Sequence, residues 1–129
     1  MSEPTPHSPM PTALVSRPGI MQQSLRASLA ACPGVELVGA YGDGLTALNH
    51  VAEHAPALLV IDCNLLDEEV AALLAAVKLR YATTQCVVLI RSSQRAAWAR
   101  ASGADAVIPH GGSMNELMAV LARFRANPL

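Results

Sequence analysis

Pro56-Ala57-Leu58-Leu59-Val60-Ile61-Asp62 places a continuous apolar run, Leu58 to Ile61, between a helix-ending proline and a carboxylate. Such a run, without polar alternation, has the character of a strand covered on both faces in the middle of a parallel sheet. The segments on either side fit that frame. Downstream, Val70, Leu73, Leu74 and Val77 recur at helical spacing, and Cys86 to Ile90 repeats the buried-strand pattern up to a polar stop at Arg91, Ser92 and Ser93. Upstream, Leu45, Leu48, Val51 and Ala52 mark a helix, preceded by a strand over Val35 to Tyr41 and the turn Gly42-Asp43-Gly44.

The same alternation reaches both ends. Ala13-Leu14-Val15 is a short strand stopped by Arg17-Pro18-Gly19, and Met21, Leu25, Leu29 and Cys32 give the first amphipathic helix. A short helix from about Gln94 to Ser102 ends at Gly103, Ala106 to Ile108 is a fifth strand, and Ser113-Met114-Asn115-Glu116 is a capping box opening the last helix. Leu117, Val120, Leu121 and Phe124 form that helix's inward face. Residues 1–11, with Pro4, Pro6, Pro9 and Pro11, read as a disordered tail, and residues 12–126 as one domain. Five strands alternating with five helices predict an α/β fold, a parallel sheet with helices on both faces.

Composition narrows the function. With 129 residues the chain has room for one core, and 52% hydrophobic against 15% charged residues describes a compact protein rather than a disordered one. Nine Lys plus Arg against ten Asp plus Glu cannot furnish the basic face of a nucleic-acid binder. No apolar run is long enough to span a membrane and the first residues lack an export-signal pattern, so a cytoplasmic location is expected. Cys32, Cys63 and Cys86 are odd in number and far from any CxxC arrangement, and they read as buried structural thiols. Ser16-Arg17-Pro18-Gly19 has too few glycines for a nucleotide-binding loop, which disfavours a nucleotide enzyme.

In open parallel sheets the functional crevice lies beyond the carboxyl ends of the strands. Those positions hold Ser16, Arg17 and Pro18, then Gly42 and Asp43, Asp62, Arg91 and Ser92, and finally Pro109 and His110. A carboxylate directly after an apolar strand needs compensating partners. Over nearly all of Thr12 to Phe124 the sequence resembles the receiver domain of response regulators. The matching pieces are Val35 to Ala40 followed by Gly42-Asp43-Gly44, then Pro56 to Asp62, then Gly103-Ala104-Asp105-Ala106. They look most like the branch whose members carry a helix-turn-helix output domain.

The resemblance implies a flavodoxin-like (CheY-like) doubly wound sheet of order 2-1-3-4-5, with Asp62 at the position that accepts a phosphoryl group from a histidine kinase. It also exposes departures. The family's pair of acids for Mg²⁺ after the first strand is replaced by Ser16, Arg17 and Pro18, and its lysine after the fifth strand by Pro109-His110. Arg91 and Ser92 stand where the family has a Ser or Thr hydroxyl.

Phosphoryl transfer relies on cations to neutralise developing charge, so this pocket of Arg17, Arg91, Ser92 and His110 is expected to be degenerate. Arg17 or Arg91 is expected to pair with Asp62 in place of the missing ions. The resulting expectation is a stand-alone atypical receiver, not an enzyme, that acts by protein–protein interaction with weak or absent phosphorylation and no cofactor.

The alternative is a working receiver, phosphorylated on Asp62 with Mg²⁺ held by Asp62 and Asp43. An uncatalytic strand-end cap is the plainer reading of Asp62. Partners would be a histidine kinase, an output protein or a second copy of the chain, the last helix being a dimer surface by family analogy. Asp67, Glu68 and Glu69 are accounted for by a helix N-terminus, His110 by no ligand role, and His50 and His54 by a solvated helix face. Trp98 reads either as core or as part of an exposed apolar surface.

Overall fold

A computed structural model describes residues 9–111 and 114–126. Five parallel strands, β1 (Met10–Val15), β2 (Val35–Tyr41), β3 (Leu58–Ile61), β4 (Gln85–Ile90) and β5 (Ala106–Pro109), form one sheet in the order β2-β1-β3-β4-β5. The connecting helices are α1 (Ile20–Ala30), α2 (Gly44–His54), α3 (Asp67–Arg80), α4 (Ala96–Ser102) and α5 (Met114–Ala126), with one 3-10 turn at Ser93–Arg95 before α4. This is the expected doubly wound α/β architecture with the expected strand order.

Its core has two layers, as the alternation of side chains along a strand requires. On one face Ala13, Val15, Leu59, Ile61, Val88 and Ile90 pack with α2 and α3 through Val51, Val70, Leu74 and Val77. On the other, Leu14, Leu58, Val60, Val87 and Ile108 pack with Leu29 of α1 and Leu117, Val120 and Leu121 of α5. All four residues of β3 are buried, which explains why its sequence is apolar without interruption.

Two features differ from expectation and one lies beyond the described residues. The first strand begins at Met10, so Met10 and Pro11 belong to the sheet rather than to a tail; residues 1–8 lie outside the described residues. Proline fits there for a geometric reason. The amides of Met10 and Ser16 both point to β2, donating to Gly34 O (2.8 Å) and Tyr41 O (2.9 Å), so the intervening alternation turns Pro11 toward β3. Pairing with β3 starts only at Thr12 opposite Leu58, so the missing N–H costs no ladder bond. Second, Ser113 of the capping box lies outside the described residues, although Glu116 does sit in the first turn of α5.

Third, α2 is rotated from its expected face. Gly44, Ala47, His50 and Val51 are buried, whereas Leu45 is 71% exposed. The small Gly44 lets α2 approach α3, since a Cβ there would stand 3.1 Å from Cγ of Glu69. His50, expected on a solvated face, instead meets the hydroxyl of Tyr41 through Nδ1. Gly39 makes that contact possible: the Tyr41 ring folds back over it, where a Cβ would come within 2.5 Å of the phenol oxygen. Burial, and then the nearby His54, hold the His50 imidazole below its ordinary pKa.

Candidate functional site

Strands β1, β3 and the edge strand β5 each continue one residue past their ends in hydrogen-bonded register, and those residues form the site. Ser16 N–H donates to Tyr41 O (2.9 Å), Asp62 N–H to Val15 O (2.9 Å) and His110 N–H to Ile90 O (2.7 Å). The backbone therefore fixes Ser16, Asp62 and His110 along the carboxyl edge of the sheet before any side chain is considered. Side-chain contacts then converge on Asp62, which is 0% exposed.

Both carboxylate oxygens of Asp62 are engaged. Oδ2 accepts the hydroxyl of Ser16 at 2.8 Å, and Oδ1 accepts the amide of Cys63 at 2.7 Å. His110 brings Nδ1 to 3.2 Å from Oδ1, without the alignment of a hydrogen bond, so this buried ring nitrogen has no hydrogen-bond partner among the described residues. Ser16 is itself braced. Its Oγ accepts from Asn64 Nδ2 (3.2 Å), its carbonyl accepts from Gln22 Nε2 (2.6 Å), and Asn64 Oδ1 accepts the Arg17 amide (3.1 Å). A buried charge requires such an arrangement, because each unpaired lone pair would carry a desolvation cost.

The arginines sit elsewhere. Arg17 turns its guanidinium to Glu69 (3.3 Å), not to Asp62. Glu69 uses its other oxygen to accept the Gly44 amide at 2.7 Å, so it ties the β1–α1 loop and the start of α2 to α3. The acidic run at the head of α3 thus does more than complement a helix dipole. Asp67 pairs with Arg95, whose guanidinium also lies 4.3 Å from the centre of the Trp98 ring. Trp98 is half-buried against the core rather than part of an exposed patch. Arg91 forms no ion pair with Asp62 among the described residues; with Ser92 it is exposed and lines a cavity of about 300 Å³ that also touches Asp62, Cys63 and Trp98.

The residues present do not fit a Mg²⁺ centre. That hard cation takes several oxygen ligands, usually carboxylates and water. Here Glu69 and Asp67 are paired with arginines, and Asp43 is exposed and caps α2 by accepting the Thr46 amide at 2.8 Å. That bond holds the Asp43 carboxyl below its ordinary pKa. What the fold does gather is Asp62, Cys63 and His110, with ligand atoms all within 4.8 Å of one another. Cys63 is half-buried rather than a core thiol, and burial followed by the Asp62 charge pushes its pKa up.

Sequence reading found Asp62 and His110, and the structure brings them together. It missed Cys63, Asn64 and Glu69 as parts of the site. Position gave a signal for two of them, since Cys63 and Asn64 directly follow the strand-end aspartate. Glu69 gave none, because only the approach of α2 to α3 creates its role.

No protein-family model and no curated protein matches the sequence. Solved structures do match. The receiver domain of the putative response regulator NarL from Mycobacterium tuberculosis aligns with a TM-score of 0.79 and 16% identity, covering 94% of this chain and 99% of that one. The isolated receiver domain of RcsB from Salmonella enterica serovar Typhimurium, solved with the phosphomimetic BeF₃⁻, aligns with a TM-score of 0.76 and 17% identity over 94% and 91%. The N-terminal domain of an uncharacterized protein from Wolinella succinogenes gives 0.70 and 19% over 92% and 94%. With its strand order and five covering helices, this chain has the CheY-like fold of response-regulator receiver domains.

Proposed function

We propose that this chain is an atypical receiver module, a signalling domain rather than an enzyme, in which Asp62 is a fixed structural charge and output passes through protein–protein contact. One observation carries the reading: Asp62 has no exposed surface, with both oxygens bonded inside the protein and Ser16 where a metal-binding acid would be needed. A phosphoryl donor requires an accessible carboxylate and cations to neutralise the transferring group. Neither Arg17, committed to Glu69, nor Asp43, committed to the α2 cap, supplies what is missing.

The contact surface has support in exposed apolar residues at the same end of the sheet. Ile20 opens α1, Leu45 lies in the first turn of α2, and Leu66 precedes α3, all well exposed. Exposed apolar residues beside a functional edge suit a protein partner: a histidine kinase, an output protein or a second copy. No described helix is long and apolar enough to cross a membrane.

The second reading, phosphorylation of Asp62, draws on the cavity beside it and on RcsB, whose receiver domain was solved with a phosphomimetic. Incubation with acetyl phosphate and Mg²⁺ followed by intact-mass measurement separates the two. The expected spectrum shows unmodified protein. A stoichiometric phosphoryl adduct that disappears in Asp62→Asn would establish the second reading instead.

A further inference from the structure

The geometry points to a zinc-type metal site formed by Asp62 Oδ1, Cys63 Sγ and His110 Nδ1. Four observations carry it. The three ligand atoms lie within 4.8 Å of one another although they come from the ends of two strands, β3 and β5, that are not neighbours in the sheet. The Oδ1 to Nδ1 separation is 3.2 Å. Tetrahedral Zn²⁺ holds N and O ligands at about 2.0–2.2 Å and sulfur at about 2.3 Å, which puts ligand atoms roughly 3.3–3.8 Å apart. Against the 4.8 Å limit on the widest pair, closing round the ion would take a movement of about 1 Å at most.

Third, the His110 nitrogen facing the cluster is buried and has no hydrogen-bond partner among the described residues, which leaves its lone pair for a cation. Fourth, the aspartate is already oriented. Ser16 holds its second oxygen and the Cys63 amide bonds the first, the outer-shell bracing that ligating carboxylates require.

The donor set selects the metal. One imidazole, one thiol and one carboxylate suit a borderline-soft cation such as Zn²⁺ or Co²⁺ and not Mg²⁺ or Ca²⁺. Three protein ligands leave a fourth position, and the adjoining cavity of about 300 Å³ lined by Asp62, Cys63, Arg91 and Trp98 provides room for water or a small anion there. A cation bound in this way would neutralise the buried Asp62 and tie the β3 and β5 loops together. It does not depend on whether Asp62 is phosphorylated: the metal is read with Zn²⁺ and Co²⁺ in the absence of any phosphodonor.

Purified, chelator-treated protein titrated with Co²⁺ tests the site. The expected result is one equivalent bound, with a thiolate-to-cobalt charge-transfer band and intense visible bands of a tetrahedral centre, both abolished by Zn²⁺. Cys63→Ser should remove the charge-transfer band, His110→Ala should weaken binding by roughly 10-fold or more, and His54→Ala should change nothing. On wild-type protein, Zn²⁺ should also protect Cys63 from alkylation in peptide mass mapping, a readout that needs no variant to fold. Absence of the charge-transfer band, or Cys63 alkylation indifferent to Zn²⁺, would overturn the proposal. So would binding lost in His54→Ala but intact in Cys63→Ser and His110→Ala.

Discussion

Ser16→Ala probes how the buried Asp62 charge is held. The hydroxyl removed is fully buried and donates to a carboxylate oxygen at 2.8 Å that is equally sealed. A hydrogen bond to a charged group contributes about 1.5–3 kcal/mol, and Asp62 has no exposed surface through which bulk water replaces it. Asn64 loses an acceptor too, but it is only half-buried and can turn to solvent. We therefore expect a loss of about 2 kcal/mol, or roughly 6–10 °C in melting temperature for a domain of this size.

Asp62→Asn supplies the second arm of a double-mutant cycle. Its amide keeps a carbonyl for the Cys63 N–H and can donate to Ser16, so without the charge Ser16→Ala should cost under about 1 kcal/mol. Urea unfolding of the four proteins near neutral pH gives the coupling, expected to be about 1–1.5 kcal/mol. An Ser16→Ala loss below about 0.5 kcal/mol, or the same loss in both backgrounds, would refute the claim that Ser16 secures a buried carboxylate.

Three further outcomes follow from other parts of the fold. Glu69→Ala should cost about 2 kcal/mol in urea unfolding because the Gly44 amide loses a charged acceptor, whereas Arg17→Ala, whose side chain is 46% exposed, should cost less than about 1 kcal/mol. Ala55, in the left-handed region at φ 46° after α2, is strained, and Ala55→Gly should raise stability by about 0.5–1 kcal/mol in the same assay. His50 is held below its ordinary pKa of 6.5 by burial, so above 6.5 it is neutral in both folded and unfolded chains and its contribution is complete. As pH falls below 6.5 the unfolded chain takes up the proton first and stability declines until the folded pKa is passed. His50→Gln should flatten this decline relative to wild type, and equal slopes for the two proteins would count against it.

Much of this fold is legible in the sequence because burial on both faces leaves a simple mark. Leu58 to Ile61 could be read as a central strand, and Asp62 as the start of the crevice, from apolar continuity alone. The rotation of α2 was not legible. Leu45 and Leu48 dominate any count of apolar residues, yet what docks the helix is the smallness of Gly44 and Ala47 against α3, a matter of distance rather than hydrophobicity. Pro11 misled because its missing donor matters only on a side where the sheet has not begun. At the site, the degenerate positions Ser16 and His110 were visible, but the partner of Asp62 was not. A long arginine beside an acid invites pairing, whereas the chain spends Arg17 on Glu69 and leaves Asp62 to a serine, a backbone amide and a histidine. Such choices depend on side-chain direction across three loops, which residue spacing does not encode.

The most direct test of Asp62 as a fixed charge is a titration of ¹⁵N-labelled protein with BeF₃⁻ and Mg²⁺, followed by amide NMR. A sealed carboxylate without metal acids should leave the amides of Ser16, Cys63, Ser92 and His110 unshifted up to saturating beryllofluoride. A saturable set of shifts around Asp62, dependent on Mg²⁺ and lost in Asp62→Asn, would contradict the account and make this domain a working phosphoryl acceptor.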